Sequence, residues 1–253
     1  MRLKVLSAVV GAFALILALP GSAIANHSWG GYHWARTQNP FTVAIGDNVS
    51  SAWDANLATA SSDWGKSTVL DTTVVARGAK PRSCRPTSGR DEVCNSTYGN
   101  TGWLGVAQIW ATGLHITQGT VKLNDTYFNT PTYNTAPWRQ LVACQEIGHT
   151  FGLDHQDENF DNPNLGTCMD YTNDPSTNQH PNAHDYQELE TIYAHLDSTT
   201  TVGSSTAGHG HSGLNSPSEW GKVIGHAANG SESLYARDLG HGEKVFTFVY
   251  WTP

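Results

Sequence analysis

The chain has 253 residues, and its 14 basic and 22 acidic side chains give a formal net charge of −8 at pH 7. An acidic surface of this kind argues against nucleic acid or an anionic membrane as the partner of the folded protein. Only 14% of the residues are charged, and together with 25 glycines and 9 tryptophans this composition indicates a secreted, loop-rich globular protein.

The first predicted element is an export signal. Arg2 and Lys4 precede an apolar run over residues 5–19, and an Ala-Ile-Ala site ends at Ala25. This order of basic, apolar and small residues is typical of a cleaved secretory signal peptide. The apolar run is shorter than the ~20 residues that a membrane span needs. We therefore predict a signal peptide at residues 1–25 and a secreted, extracellular, monomeric protein with no membrane association after signal removal.

The main predicted domain covers residues 26–197 and contains both strands and helices. A first strand at residues 32–45 is interrupted at Asn39-Pro40, and a helix at residues 49–64 carries its tryptophans on one face. The later elements are strands at 73–76, 102–110 and 114–124, a long helix with Pro137 in its first turn, and a final helix at 183–196. This combination is an α+β fold with its site in a cleft.

The C-terminal part of the chain is predicted to be a linker followed by a small appendage. Residues 198–215 are mainly Ser, Thr, Gly and His, which is typical of a flexible linker. Its His209 and His211 are expected to be solvated rather than metal ligands. Residues 216–253 are predicted to form a small β-hairpin extension, with strands near 220–224, 233–237 and 244–251. The pattern of this tail indicates no chemistry.

The most informative stretch lies at the end of the helix that begins near Pro137. Glu146, His149, Gly152 and His155 have the spacing of the zinc-protease pattern H-E-x-x-H-x-x-G-x-x-H, and Met169 follows where that pattern has its Met-turn. Residues four apart share a helix face, so positions 145 and 149 can converge on one ion. A glycine adopts a positive φ at little cost, so it can end the helix and bring the last histidine back to the same ion.

One position departs from this pattern, because Gln145 stands where the first zinc-binding histidine is expected. Its carbonyl oxygen is a neutral, hard donor and a poorer zinc ligand than imidazole. Three outcomes stay open: Gln145 is an unusual third ligand, another side chain replaces it, or the site has lost its metal. The candidates for replacement are Tyr171, Asp154, His180 and His184, whereas His115 is expected to be an ordinary strand histidine.

With these motifs in place, the chain resembles a metzincin metallopeptidase and is closest to small bacterial matrixin-like proteins. The similarity covers roughly residues 30–196. It implies a metzincin-like catalytic domain, in which a twisted mixed sheet with an edge strand is combined with the active-site helix, a Met-turn and a C-terminal helix. It also implies that the substrate pairs as an added strand with the edge strand, at Trp103, Leu104, Gly105 and Val106.

The resemblance further implies the chemistry of a zinc endopeptidase acting on a polypeptide substrate. The implied roles are zinc binding by Gln145, His149 and His155, general-base catalysis by Glu146, and stabilisation of the oxyanion by Tyr171. Two alternatives stay open. One is a catalytically inactive metzincin-fold protein that binds peptides or an extracellular partner, and the other keeps the metal but hydrolyses a non-peptide amide.

Two further expectations concern disulfides and calcium. Four cysteines in an exported chain predict two disulfides, for which three pairings exist. We favour Cys84–Cys94, which closes a polar loop, and Cys144–Cys168, which ties the active-site helix to the Met-turn and contributes roughly 3 kcal/mol through chain entropy. Three acidic residues, Asp157, Glu158 and Asp161, lie in the loop after His155. They could bind a structural calcium ion, or they form a solvated acidic loop without a metal.

Overall fold

The computed structural model describes residues 26–205 and 214–253. The predicted signal peptide and the linker residues His209 and His211 lie outside these ranges. Across the described residues, no helix combines the length and the apolar character that crossing a membrane requires. The fold is a nine-stranded mixed sheet with a small number of helices, which confirms the predicted α+β class.

Nine strands and four α-helices follow one another within the residues that the structure describes. The strands are β1 His33–Trp34, β2 Phe41–Asn48, β3 Leu70–Ala76, β4 Asp91–Ser96, β5 Trp103–Thr112, β6 His115–Asn124, β7 Lys222–His226, β8 Glu232–Gly240 and β9 Glu243–Trp251. The helices are α1 Asp54–Trp64, α2 Asp125–Phe128, α3 Ala136–His149 and α4 Ala183–Ile192. Strand β4 was not predicted, because its acidic start and its Asn95 are unfavourable in strands.

The sheet has a parallel half and an antiparallel half. Its order is β3-β2-β4-β6-β5-β9-β8-β7, and β1 adds a short parallel pairing to β6. Strands β3, β2, β4 and β6 run parallel, whereas β6, β5, β9, β8 and β7 are successively antiparallel. The three C-terminal strands, which the sequence predicted as a small β-hairpin extension, therefore continue the central sheet.

The helices pack on one face of the sheet around buried tryptophans. In α1 the side chains of Leu57 and Trp64 are buried, as is Trp53 immediately before the helix. Trp64 lies under α3 and donates its indole N–H to the carbonyl of Cys144 at 3.1 Å. Helix α3 begins at an N-cap, since the Thr135 hydroxyl accepts from the backbone N–H of Trp138. Packing against α1 thus sets the position of α3 over the sheet.

The opposite face of the sheet carries a second, smaller core. Alternate residues of β5 point to this side, where Val106 and Trp110 pack with Trp220 and with residues of β8 and β9. The buried Lys122 of β6 anchors the covering segment by donating to the carbonyl of Leu214. Because β5 has a helix-covered face and a second apolar face, it is the innermost strand of the molecule.

Candidate metal centre

The central site is built where α3 ends, and we use this name for Gln145, Glu146, His149 and His155. The helix ends at His149, and Gly152 then takes a φ of 99°. A β-carbon at Gly152 would lie 2.4 Å from the carbonyl oxygen of Tyr32, so both its backbone conformation and its surroundings require glycine. This turn carries the chain back, so that His155 faces His149.

The two histidines of the central site direct their ring nitrogens at each other. Their Nε2 atoms are 3.0 Å apart and the ring planes are inclined by 83°. His149 Nδ1 donates to the carbonyl of Leu153 at 2.8 Å, and His155 Nδ1 lies 2.8 Å from a carboxylate oxygen of Glu158. Since a carbonyl and a carboxylate only accept, both Nδ1 atoms carry a proton, and when both rings are neutral their Nε2 lone pairs point at the same place.

Burial keeps the central site free of competing water. His149 is 1% exposed and His155 is 8% exposed. Desolvation lowers the pKa of His149 well below its ordinary value, and the charge of His155 lowers it further. A neutral imidazole is the form that binds a metal, so His149 is in the ligating state at neutral pH.

Glu146 lies beside these histidines against the floor of the sheet. A β-carbon at Gly105 would lie only 2.6 Å from a carboxylate oxygen of Glu146, so the absence of a side chain at Gly105 makes room for it. Burial raises the pKa of Glu146 well above its ordinary value. The Ala107 N–H opposes this only weakly, because neither carboxylate oxygen has a hydrogen-bond partner of standard geometry among the described residues.

Gln145 is tied to the Met-turn. Its amide nitrogen donates to the carbonyl of Cys168 at 2.7 Å, while its carbonyl oxygen is buried and has no partner within the part of the chain that the structure describes. The Cys144–Cys168 disulfide connects the same two segments, and Met169 is fully buried beneath them. The second disulfide joins Cys84 to Cys94, so the favoured pairing is present.

The donor set of the central site fits zinc. The site offers two imidazole nitrogens whose tautomers are fixed by hydrogen bonds. Imidazole is one of the three common zinc ligands in proteins, together with thiolate and carboxylate. The Gln145 carbonyl oxygen on the same helix is buried without a partner among the described residues, and such an acceptor is costly unless a cation or donor meets it. Imidazole together with a weak oxygen donor favours zinc over calcium or magnesium.

Tyr171 contacts the central site, but its hydroxyl, which was predicted to stabilise an oxyanion, already has a hydrogen-bond partner in the protein. Its ring centre is 4.3 Å from that of His155. Its hydroxyl donates to the carbonyl of Val249 in β9 at 3.1 Å. Tyr171 is therefore placed next to the histidine pair while its hydroxyl is held by the C-terminal strand.

Strand β9 covers the central site, which sequence reasoning missed. The Phe248 ring stacks on His149 with centres 4.1 Å apart and planes inclined by 13°. Tyr250 lies 4.9 Å from the ring of Tyr171, and Phe246 continues the same row of side chains. The alternation of Phe246, Phe248 and Tyr250 was a usable signal, because three aromatic residues on one strand face need an apolar surface to cover.

The prediction that residues 102–107 form a free edge strand is wrong. Strand β5 pairs with β6 on one side and with β9 on the other. Trp103 and Val106 point to the second core, Leu104 lies in the main core and Gly105 faces Glu146. Both hydrogen-bonding edges of β5 are therefore occupied over most of its length, and a substrate cannot add to it in this arrangement.

The other candidate ligands lie outside the histidine pair. Asp154 accepts from the backbone N–H of His155, and its carboxylate lies on the Nδ1 side of that ring. His180 pairs with Asp63 on α1 at 2.6 Å, and His184 stacks on His27. Asp185 closes the capping box of α4 with Asn182.

The three acidic residues proposed for calcium have separate partners. Glu158 binds His155 and Ser233, Asp157 accepts from the backbone N–H of Asn159, and Asp161 accepts from Asn173. Burial alone would raise the pKa of Glu158, but hydrogen bonds from His155 and Ser233 outweigh it and lower that pKa. The structure thus gives Glu158 the role of orienting His155.

Comparison with known proteins gives distant similarities to solved structures. Neither a protein-family model nor a curated protein sequence matches the chain. The structure of myroilysin is similar with a TM-score of 0.37 and 11% identity, over 64% of this chain and 96% of that one. A hatching enzyme zinc-protease from the medaka fish Oryzias latipes, high choriolytic enzyme 1, has a TM-score of 0.35 and 12% identity, over 66% of this chain and 96% of that one.

Proposed function

We propose that the chain is a secreted zinc-dependent endopeptidase whose central site is closed by its own C-terminal strand. The observation that carries this proposal is the convergence of the His149 and His155 Nε2 lone pairs, 3.0 Å apart in a buried site. In neutral rings, two nitrogen lone pairs that point at each other repel, so packing alone does not explain the contact. A divalent cation between the two nitrogens would make it favourable.

The zinc-protease pattern assigns a role to each side chain of the central site. His149, His155 and the Gln145 oxygen would hold the metal, which when bound would supply Lewis-acid chemistry to a water molecule and a substrate carbonyl. Glu146 would accept the proton of the attacking water and pass it to the leaving amine, a contribution of ~10²–10⁴-fold in rate. Tyr171 would donate a hydrogen bond from its hydroxyl to the developing oxyanion once that hydroxyl no longer donates to Val249.

Substrate access requires a change in β9. The polypeptide substrate is expected to form backbone hydrogen bonds with β5, but residues 245–250 of β9 already make them. Release of β9 would free this edge, uncover the ring of His149 and free the Tyr171 hydroxyl at the same time. One movement therefore converts a closed site into one that a peptide strand can enter.

The experiment compares the intact chain with a chain cut at a specific protease site inserted between residues 205 and 214. Zinc content is measured by elemental analysis, and cleavage is measured on an unfolded protein with and without a chelator. We expect zinc in both forms, chelator-sensitive cleavage that increases after the cut, and no cleavage in the cut Glu146→Gln protein. Absence of zinc from His149 and His155 in folded protein would overturn the proposal.

A second candidate function is a non-catalytic extracellular binding protein. The occupied edge of β5 and the stacking of Phe248 on His149 favour it, because both fill the place of a substrate. In that case the cut chain would still cleave nothing, even with zinc bound, and Glu146→Gln would change no measured property other than stability. The same experiment therefore separates the two functions.

A further inference from the structure

A second histidine cluster lies away from the central site, and we call His33, His115, His195 and Asp197 the peripheral cluster. Three separate segments meet there: β1, the start of β6 and the turn after α4. His33 and His115 are register partners in the parallel pairing of β1 with β6, so the backbone itself places their side chains next to each other. The sequence predicted only an ordinary strand histidine at His115.

The ring nitrogens of this cluster surround one carboxylate oxygen. Asp197 Oδ1 is 3.2 Å from His115 Nε2, 3.5 Å from His33 Nε2 and 3.7 Å from His195 Nε2. The Nε2 atoms of His33 and His195 are 3.1 Å apart. Ligands at about 2.0–2.1 Å from a tetrahedral zinc ion stand roughly 3.3–3.4 Å from one another, so these four separations are close to the edges of such a tetrahedron. His33, His115 and Asp197 each offer a ligand atom, and these three atoms all lie within 4.8 Å of one another.

The protonation pattern of the cluster leaves a place for a cation. His33 Nδ1 donates to the carbonyl of Gly31 at 2.8 Å, so the neutral ring has its lone pair on Nε2, facing Asp197 and His195. Protonation of His33 would satisfy one of these contacts only. A divalent cation satisfies all of them together, because it accepts a lone pair from each ring and from the carboxylate.

Neighbouring groups orient the ligands from outside the cluster. Arg36 donates through Nη1 to Asp197 Oδ2 at 2.9 Å, and its backbone N–H binds the same oxygen at 3.2 Å. These bonds leave Oδ1 to face the three imidazoles. Arg36 also donates to the backbone carbonyl of His195, and the backbone N–H of Asp197 donates to the Arg36 carbonyl at 2.9 Å. Such outer contacts are the usual means of fixing ligand geometry at a metal site.

From this arrangement we propose that the peripheral cluster is a second zinc site, with His33, His115, His195 and Asp197 as its four ligands. A full set of four protein ligands is typical of a structural site, since a catalytic site keeps a position for water or substrate. The ion would cross-link β1, β6 and the segment after α4, which are far apart in sequence. It is independent of the central site and does not require that site to be active.

The test counts zinc in the full-length protein and locates it. Wild-type protein is dialysed against zinc-free buffer and analysed for zinc per chain, and crystals are measured at the zinc absorption edge. We expect an anomalous peak between the four ligands, and a loss of one zinc per chain in His115→Asn and in His195→Asn. These side chains are 39% and 53% exposed, so their replacement leaves the core intact.

The matched control is His180→Asn, because His180 also pairs with an aspartate and has a 56% exposed side chain but lies outside the cluster. It should keep the zinc content of the wild type. Zinc should also raise the unfolding temperature of the wild type and of His180→Asn more than that of His115→Asn. His149→Ala removes only zinc of the central site, so failure of that site is recognised separately. The inference is overturned if no anomalous peak lies at Asp197, or if His115→Asn retains all the zinc of the wild type.

Discussion

The central site and the peripheral cluster bring histidines together in different ways. In the central site, both histidines and the glycine between them come from one short segment, so local spacing along a helix and a turn places them. In the peripheral cluster, the ligands come from three segments separated by about eighty residues each, and only the sheet and the turn after α4 unite them. Local spacing leaves a sequence pattern, whereas long-range convergence leaves none.

The two clusters also differ in their cover. The central site is closed by β9, whose Phe248 stacks on His149, and it is expected to change with the position of that strand. The peripheral cluster has two partly exposed histidines and needs no movement to exchange its ion with solvent. This difference in cover fits the catalytic role proposed for the central site and the stabilising cross-link proposed for the peripheral cluster.

The largest expected effect separates catalysis from metal binding at the central site. Glu146→Gln removes the proton acceptor while keeping the size of the side chain, so cleavage by the cut chain should fall by ~10²–10⁴-fold with zinc retained. Initial rates on an unfolded protein substrate and zinc analysis measure the two effects. Glu190→Gln is the matched control, since Glu190 is exposed on α4. Equal rates in Glu146→Gln and the wild type would exclude the assigned role.

The next effect tests the cover formed by β9. Phe248→Ala should destabilise the fold by about 3–5 kcal/mol through the cavity it leaves, and it should accelerate loss of central zinc to a chelator by uncovering His149. Phe246→Ala is the control, because Phe246 lies on the same strand face but contacts Trp29 and Tyr32. Chelator kinetics that are equally fast in both variants would mean that Phe248 does not guard the metal.

A pH-dependent effect is expected at Asp91, a buried carboxyl that accepts a hydrogen bond from the Thr150 hydroxyl at 2.7 Å. Burial raises the pKa of Asp91 from 3.8 to about 8, since the hydrogen bond from Thr150 only partly opposes the desolvation. Between about pH 4 and 8 the unfolded chain releases this proton while the folded chain keeps it, so this group makes stability fall as pH rises through that range.

Replacement of Asp91 by asparagine should therefore raise the free energy of unfolding at pH 8, by roughly 2 kcal/mol or more, and flatten its dependence on pH. Denaturant titrations at several pH values measure this. The zinc content of both clusters should stay unchanged, because Asp91 contacts no ligand in either proposal. A steeper pH dependence in the variant would show that Asp91 is ionised in the folded protein.

The smallest expected effect concerns Gln145. Gln145→His should raise zinc affinity at the central site by at least about tenfold, or ~1.4 kcal/mol, if the orphaned oxygen of Gln145 faces the ion. Gln140→His is the control, because Gln140 is also buried on α3 but pairs with Asn56. Competition titrations with a chelator give both affinities. An unchanged affinity would mean that the side chain at position 145 serves only to bind the Met-turn.

Much of the fold could be predicted from the sequence, because local patterns determine most of its elements. The helical period of Trp53, Leu57 and Trp64 located α1, and Pro137 marked the first turn of α3. Strand β4 was missed because acidic residues are unfavourable in strands and those of β4 are stabilised by tertiary partners, such as Asn48, whose side-chain amide donates to Glu92 at 2.6 Å. The turn at Gly152 was foreseen, since its positive φ and the lack of space for a β-carbon both require glycine.

The sequence by itself determined helix α3, the turn at Gly152 and the spacing of the candidate metal ligands around the end of α3, because these depend on contacts between near neighbours. Tertiary structure alone decided that β9 occupies the edge of β5 and that His33, His115 and Asp197 meet. The physical reason is that strand pairing depends on matching hydrogen-bonding edges and apolar faces across the whole chain. The alternating apolar side chains of a strand such as β9 show that one of its faces is buried, but they do not show which surface covers that face.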